Sequence, residues 1–302
     1  MTVDRRQFLK RTGATTAGLA AVAASAGTAT AYDVGLVSTR DHYTDDGSSL
    51  VSGETKYSYD TNGQVPGVDT GCVSDLTVFV HGWDKKSSES DAEAAAREKI
   101  RHARDSLVGA GYGGTVVGYT WDNDVGGGAD YGWGEAQDVA QKNGLKLAQF
   151  AVDYKYACPN GRLRFVSHSL GAQVVLSSLR SLNATSWWHD NGHDVYSTHI
   201  LGGAQDNEAP TQEWTDTYEA IRDAAVAAFN YHSHEDDVLQ WIYNSFEADQ
   251  ALGETGYEDG NTPAPNYTEY DATSQVGNDH SGYLSNLSDE VVYHMEHVGS
   301  YV

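Results

Sequence analysis

The chain has 302 residues, with 19 Lys and Arg against 43 Asp and Glu, a formal net charge of −24. A field this negative, with no Lys/Arg cluster beyond the extreme amino terminus, repels phosphate backbones and excludes nucleic-acid binding as the main activity. Past residue 31 no apolar run approaches the roughly 20 residues that span a bilayer, so no transmembrane segment is expected.

Residues 1–31 read as an export signal and are set aside from the fold. Arg5-Arg6-Gln7-Phe8-Leu9-Lys10 is a twin-arginine motif, a mild Ala/Gly/Thr stretch follows over residues 12–28, and Ala29-Thr30-Ala31 offers a small-x-small cleavage site. Tyr32 is then the expected mature amino terminus, and no Cys follows the cleavage site to carry a lipid. The expected location is extracellular, reached by twin-arginine (Tat) export. Cleavage removes four bases and one acid, which leaves 15 bases against 42 acids and a net charge of −27. Such a surface repels itself at low salt, whereas near 1 M salt the Debye length is only about 3 Å and the repulsion is screened. A halophilic, secreted protein is the expectation. The 19 Tyr and 7 Trp argue against a disordered acidic chain.

One domain is expected over residues 32–302, opening with an antiparallel start to a sheet over residues 32–71. The apolar, β-branched run Leu76-Thr77-Val78-Phe79-Val80 then leads into His81-Gly82-Trp83. A helix follows over residues 91–108, with Ala92, Ala95, Ala96, Ile100, Ala103 and Leu107 on one face. Residues 109–114 break it, and residues 115–121 form the next strand. The Gly-rich acidic loop over residues 122–134 contains Gly126-Gly127-Gly128, with no following Gly-Lys-Ser/Thr to make a phosphate cradle; it reads as a candidate lid beside the site. A second helix is expected over residues 135–156. The strand Leu163-Arg164-Phe165-Val166 then runs through Ser167-His168-Ser169-Leu170-Gly171 into a third helix ending near Leu182. Later strands are expected over residues 196–201, 225–231 and 267–271, and a carboxyl-terminal helix from Asp289. Strands alternating with helices define an α/β fold, a mostly parallel sheet with helices on both faces.

Cys72 and Cys158 are the only cysteines, enough for one disulfide in an oxidising compartment. Each lies ahead of an apolar strand and nine residues before a functional-looking turn, at His81 and at Ser167. If the two strands are parallel neighbours, the cysteines start them side by side, within reach of a bond.

Ser169 sits where a strand turns sharply into an Ala/Val/Leu-rich helix, a setting that lifts a hydroxyl above the carboxyl edge of the sheet. The usual spacing is G-x-S-x-G; here Ser167 replaces the first Gly, and a small residue still fits. A helix-capping turn is the plain alternative. Acyl transfer needs two N–H donors for the oxyanion: Leu170, after the serine, and Trp83, in the loop after the earlier strand. His81 reads as a structural hydrogen-bonder rather than a base.

Three stretches resemble the α/β-hydrolase superfamily, in particular its lipase- and esterase-like members: Val78-Phe79-Val80-His81-Gly82-Trp83, Gly118-Tyr119-Thr120-Trp121-Asp122 and His168-Ser169-Leu170-Gly171-Ala172. The resemblance covers residues 75–300 in element order and is tight only around those motifs. It implies that the third and fifth strands are neighbours, which supports the disulfide, and that the triad runs in the order Ser, acid, His. Asp236, after Phe229-Asn230-Tyr231 and before a Val-Leu helix start, resembles the orienting acid. Asp237, as acid or as helix cap, and Asp206 are alternatives. His280, in Gly277-Asn278-Asp279-His280-Ser281-Gly282-Tyr283, has the setting and the His-x-x-Tyr spacing of the base. The implied activity is hydrolysis of carboxylic esters, on a small-molecule or lipid ester. Amide or peptide cleavage on the same triad, or a non-catalytic binding protein of the same fold, are the rivals.

Twelve histidines invite a metal reading, and His232 and His234 stand beside Glu235 and Asp236, but no H-E-x-x-H or paired-Cys spacing occurs. No metal and no cofactor are expected. Trp187-Trp188 reads as buried packing, with interfacial contact with lipid as the alternative. Asn183, Asn266 and Asn286 each open an N-x-Ser/Thr triplet that fits a glycosylation acceptor.

Overall fold

The computed structural model describes residues 34–302 apart from 85, 87, 128 and 129, so the export signal over residues 1–31 and Gly128 of the acidic loop lie outside the described residues. Strands β1 (Gly35–Ser38), β2 (Asp60–Thr61), β3 (Asp75–Val80), β4 (Thr115–Thr120), β5 (Arg162–His168), β6 (Ser197–Leu201), β7 (Ala228–His232) and β8 (Tyr267–Asp271) form one sheet in the order β2-β1-β4-β3-β5-β6-β7-β8. Between and after them run α1 (Glu89–Gly109), α2 (Trp133–Ala157), α3 (Gly171–Asn183), α4 (Ser186–Asp190), α5 (Thr215–Ala224), α6 (Asp237–Phe246), α7 (Leu252–Thr255), α8 (Thr273–Val276) and α9 (Tyr283–Glu296). Among the described helices none is long and apolar enough to cross a membrane.

Every pairing from β1 to β8 is parallel; only β2 runs antiparallel, against β1. The antiparallel opening expected over residues 32–71 is therefore confined to a two-residue edge, and β1 itself lies parallel to β4 with Val37 beside Tyr119. Its residues Gly35, Leu36 and Val37 are buried, as in a strand covered on both faces. The same principle accounts for β3 and β5, whose apolar runs are continuous rather than alternating. This is the expected α/β fold, a mostly parallel sheet with helices on both faces.

Apolar residues on the two sides of the sheet form separate cores. One gathers Val78, Val80, Phe165 and Val175 with α2, α3 and α5; the other gathers Phe79, Val166 and Phe229 with α1 and α9. The face expected on α1 is the buried one, with Ala92, Ala96, Ile100, Ala103 and Leu107 inside and Ala95 half-buried. α9 starts at Tyr283, six residues ahead of Asp289, because Leu284, Leu287 and Val291 already repeat at helical spacing while Ser285 and Asn286 face water. Trp188 is fully buried and Trp187 packs half-buried on the same core. Asn266 donates through Nδ2 to the carbonyls of Ile221 and Ala225, both at 2.8 Å, so that amide clamps the end of α5.

β3 and β5 are neighbours in register, Val78 beside Phe165. Just ahead of them Cys72 and Cys158 are bonded, with S–S 2.04 Å and Cα–Cα 5.6 Å. The carboxyl ends of these strands carry His81-Gly82-Trp83 and Ser167-His168-Ser169 to the same edge of the sheet.

Candidate active site

Ser169 is the corner between β5 and α3, and its φ of 55° lies in the left-handed region that residues with a Cβ avoid. The surroundings hold it there. Its N–H donates to the Leu201 carbonyl (3.0 Å), and its carbonyl accepts from Ala172 (3.0 Å) and Ala204 (3.1 Å). Gly171 lets α3 start against β3, since a Cβ there would stand 2.5 Å from the Val80 carbonyl oxygen. Ser167, in place of the usual first Gly, is buried against β6 and its Oγ lies 3.5 Å from the His199 carbonyl oxygen. The helix that begins behind the serine aims its free N–H groups at the corner.

Opposite the corner lies the turn after β3. The Gly82 carbonyl accepts from His81 Nδ1 (2.9 Å) and Asn123 Nδ2 (2.8 Å). A trans peptide points its N–H opposite to its C=O, so pinning that oxygen aims the Trp83 N–H the other way. Among the described residues neither the Trp83 nor the Leu170 N–H has an acceptor. Arg40 organises the pinning groups: its Nη2 donates to Asn123 Oδ1 (2.7 Å) and its Nε to Thr120 Oγ1 (2.9 Å). Thr120 in turn lies 3.2 Å from His81 Nε2. Burial, then the Arg40 charge, pushes His81 down to about 3, so it stays neutral, with Nδ1 donating and Nε2 accepting. His81 is thus a hydrogen-bonder within the turn, as its position in the sequence suggests.

Asp236 and His280 meet at 2.7 Å, Oδ2 to Nδ1, although 44 residues separate them. Asp236 is fully buried and its two oxygens have different duties. Oδ1 caps α6 by accepting from the Leu239 N–H (3.1 Å), while Oδ2 takes His280 and the Tyr283 hydroxyl (3.2 Å). Burial and the adjacent carboxylate push the Tyr283 phenol far above its ordinary range, so it remains a donor. The His280 carbonyl accepts from His168 Nε2 (2.7 Å), and the two rings lie 4.8 Å apart. Since His168 precedes Ser169, this contact ties the His280 backbone to the residue before the corner, while among the described residues no hydrogen bond joins Ser169 Oγ to the imidazole. Burial, then the neighbouring His280, pushes His168 well below its usual value, so His168 is a neutral donor. His280 Nε2 is buried and has no partner among the described residues.

The alternative acids are placed elsewhere. Asp237 is exposed and accepts from Asn278 Nδ2 (3.1 Å). Asp206 accepts from the Tyr243 hydroxyl (2.7 Å), and burial pushes its carboxyl up. Tyr243 belongs to an aromatic wall that begins at the turn: Trp83 packs edge-on to Trp133 (5.6 Å), and Trp133 edge-on to Tyr243 (6.2 Å). Beyond it on α6, Val238 and Trp241 are exposed, Trp241 by 63%. Sequence reasoning missed Arg40, Asn123 and His168. His168 and Thr120 fall inside the quoted motifs, whereas nothing local marks Arg40 or Asn123.

No family model matches the chain, and no curated protein matches it. Among solved structures, an acetyl xylan esterase at 11% identity matches 75% of this chain and 98% of its own, with a TM-score of 0.37. The catalytic core domain of acetyl xylan esterase from Trichoderma reesei, at 13% identity, matches 77% of this chain and 100% of its own, with a TM-score of 0.35. Trichoderma reesei cutinase in complex with a phosphonate inhibitor, at 12% identity, matches 75% of this chain and 77% of its own, with a TM-score of 0.32. At these scores the similarity is one of resemblance only.

Proposed function

We propose that the chain is a serine hydrolase that cleaves carboxylic esters, lipase- or esterase-like, with Ser169 as nucleophile, His280 as base and Asp236 as the acid that orients it. The observation that carries this reading is the pairing of His280 Nδ1 with the buried Asp236 carboxylate, Nε2 being left without a partner, on a chain whose Ser169 is held at φ 55° at the end of β5. A capping turn needs none of those features.

The chemistry follows from the geometry. With Nδ1–H committed to Asp236, His280 Nε2 is the free lone pair and takes the Ser169 proton as Oγ attacks the ester carbonyl. Asp236 holds the tautomer and stabilises the imidazolium that forms. The Leu170 and Trp83 N–H groups receive the tetrahedral oxyanion, each such donor being worth about 3 kcal/mol. His280 then gives the proton to the leaving alcohol, water repeats the sequence on the acyl-enzyme, and Ser169 is regenerated. No cofactor enters. The aromatic wall of Trp83, Trp133 and Tyr243, with exposed Val238 and Trp241 beyond it, favours an apolar acyl group and contact with lipid.

The setting belongs to the same proposal. The twin-arginine motif and the Cys72–Cys158 bond are consistent with secretion by the Tat pathway, and the net charge of −27 after cleavage favours work in brine. A fluorophosphonate probe applied to the mature protein in high salt tests the reading. Wild type labels and Ser169→Ala does not; folded wild type that stays unlabelled, with and without detergent, overturns it.

A further inference from the structure

Beside Asp236 the sheet presents a second group of chemistry-bearing residues that the proposed reaction does not use. His232 ends β7, His234 follows two positions on, and Asp271 ends β8 in register with His232. Each offers one ligand atom, and the three atoms lie within 4.8 Å of one another. His232 is buried, while His234 and Asp271 are exposed.

The three side chains stand on fixed backbone. The Ala272 N–H donates to the His232 carbonyl (2.8 Å), the His234 N–H to Thr273 Oγ1 (3.0 Å), and the Thr273 N–H to Asp271 Oδ1 (2.9 Å). His232 Nδ1 lies 2.9 Å from Glu269 Oε2, near in distance but poorly aligned, so it completes no hydrogen bond. Glu269 is itself anchored, by the Tyr267 hydroxyl (2.5 Å) and the Tyr257 N–H (3.1 Å) on Oε1, and by Asn230 Nδ2 (3.2 Å) on Oε2.

We propose that His232, His234 and Asp271 bind a divalent transition metal of the zinc class. Two imidazoles and one carboxylate suit a borderline cation, whereas calcium or magnesium would require an all-oxygen cage. Glu269, 2.9 Å from Nδ1 but not yet aligned with it, is placed to become the outer carboxylate of a ligating ring once a small turn of the imidazole completes that bond, which leaves Nε2 as the neutral ligand atom. Bonds of about 2.1 Å set tetrahedral ligand atoms about 3.4 Å apart, so the cluster closes by about 1.4 Å at most. The exposed side chains of His234 and Asp271 supply that movement, and water completes the shell. The ion is a brace rather than a reactant. It ties the turn that carries Asp236 to the end of β8, from which the chain runs through α8 to His280, next to the existing bond from Ser233 Oγ to the Gly277 carbonyl (2.6 Å).

Calorimetric titration of the chelator-stripped mature protein with Zn2+ alone tests the site, independently of any catalytic assay. Wild type takes up one Zn2+ per chain, and H234A and D271N each weaken that binding at least tenfold. Both substitutions fall on exposed side chains, and their metal-free melting curves match wild type. Saturating Zn2+ raises the unfolding midpoint of wild type by several degrees and leaves an H234A/D271N double variant unmoved. On wild type alone, Co2+ gives a saturable visible absorption from nitrogen coordination. The proposal is overturned if Zn2+ does not saturate, if H234A and D271N bind it as wild type does, or if equimolar Ca2+ displaces it. The last two outcomes would move the cation to carboxylates such as Glu208, Glu213 and Glu258.

Discussion

Gly82 packs directly over Ser169: a Cβ added to Gly82 would stand 2.6 Å from the serine Cβ and 3.1 Å from its Oγ. The turn that carries one proposed oxyanion donor is thus in van der Waals contact with the proposed nucleophile, and no side chain fits between them. Gly82→Ala pushes the Trp83 N–H away from the oxyanion. It is expected to lower kcat/KM by about 10²-fold, the scale of one lost donor, while the melting temperature shifts by only a few degrees. Steady-state kinetics on a chromogenic ester check this; an unchanged rate would remove Trp83 from the oxyanion assignment.

Asp236→Asn keeps the shape of the buried carboxylate and loses its charge beside His280. A fall in kcat on the order of 10⁴-fold is expected. Asp206→Asn and Asp237→Asn, whose carboxylates bind Tyr243 and Asn278, keep kcat within a few-fold of wild type. The three variants assayed side by side in high salt identify the acid.

The backbone at Ser169 costs free energy that only a residue without a Cβ recovers. Ser169→Gly is expected to stabilise the fold by about 1 kcal/mol, and Ser169→Ala, which keeps the Cβ, is not. Denaturant unfolding of the two inactive variants separates the backbone effect from loss of the hydroxyl.

His81, His168 and His199 are buried neutral, His81 held down to about 3 and the other two well below their usual value, in each case first by burial. The unfolded chain takes up these protons near pH 6.5 and the folded chain does not. Their contribution is therefore complete above pH 6.5 and is lost as pH falls from there, in the case of His81 down to about 3. Each group contributes up to about 1.4 kcal/mol per pH unit across that window. His199→Gln, remote from the corner, is expected to flatten the stability profile between pH 6.5 and 4.5; denaturant midpoints at several pH values read it.

The bond between Cys72 and Cys158 closes a separation of 86 residues. On the chain-entropy model, removing it destabilises the protein by up to about 4–5 kcal/mol. The Cys72→Ser/Cys158→Ser pair tests this by unfolding midpoint, and a loss below about 1 kcal/mol would mean the register of β3 and β5 is already held by their ladder.

Much of this architecture is legible in the chain because local pattern and tertiary role agree. The continuous apolar runs at Leu76 and Leu163 become inner strands, and the helix expected from residue 91 differs from α1 by two residues at its start. Asp236 shows where local reading stops. As sequence, capping and orienting a base look like competing duties, to be divided between Asp236 and Asp237. Folded, one carboxylate makes both contacts, one oxygen accepting from Leu239 and the other facing His280 Nδ1. The Arg40–Asn123 contact that steadies the turn depends on β1 lying beside β4, a pairing that no nearby residue encodes. The antiparallel opening holds only at β2, and β1 lies parallel to β4, because an edge of two residues carries almost no pattern of its own.

The order in which the site's parts are synthesised also matters. By Gly171 the chain has made the turn at Gly82, the corner at Ser169 and the helix start behind it, yet the acid comes 65 positions later and its histidine 44 beyond that. A nascent chain stopped after β6 would own a strained serine and two waiting N–H groups, with nothing to take the proton. On the proposed reading, activity would arrive last, when the final third of the polypeptide docks along the sheet edge.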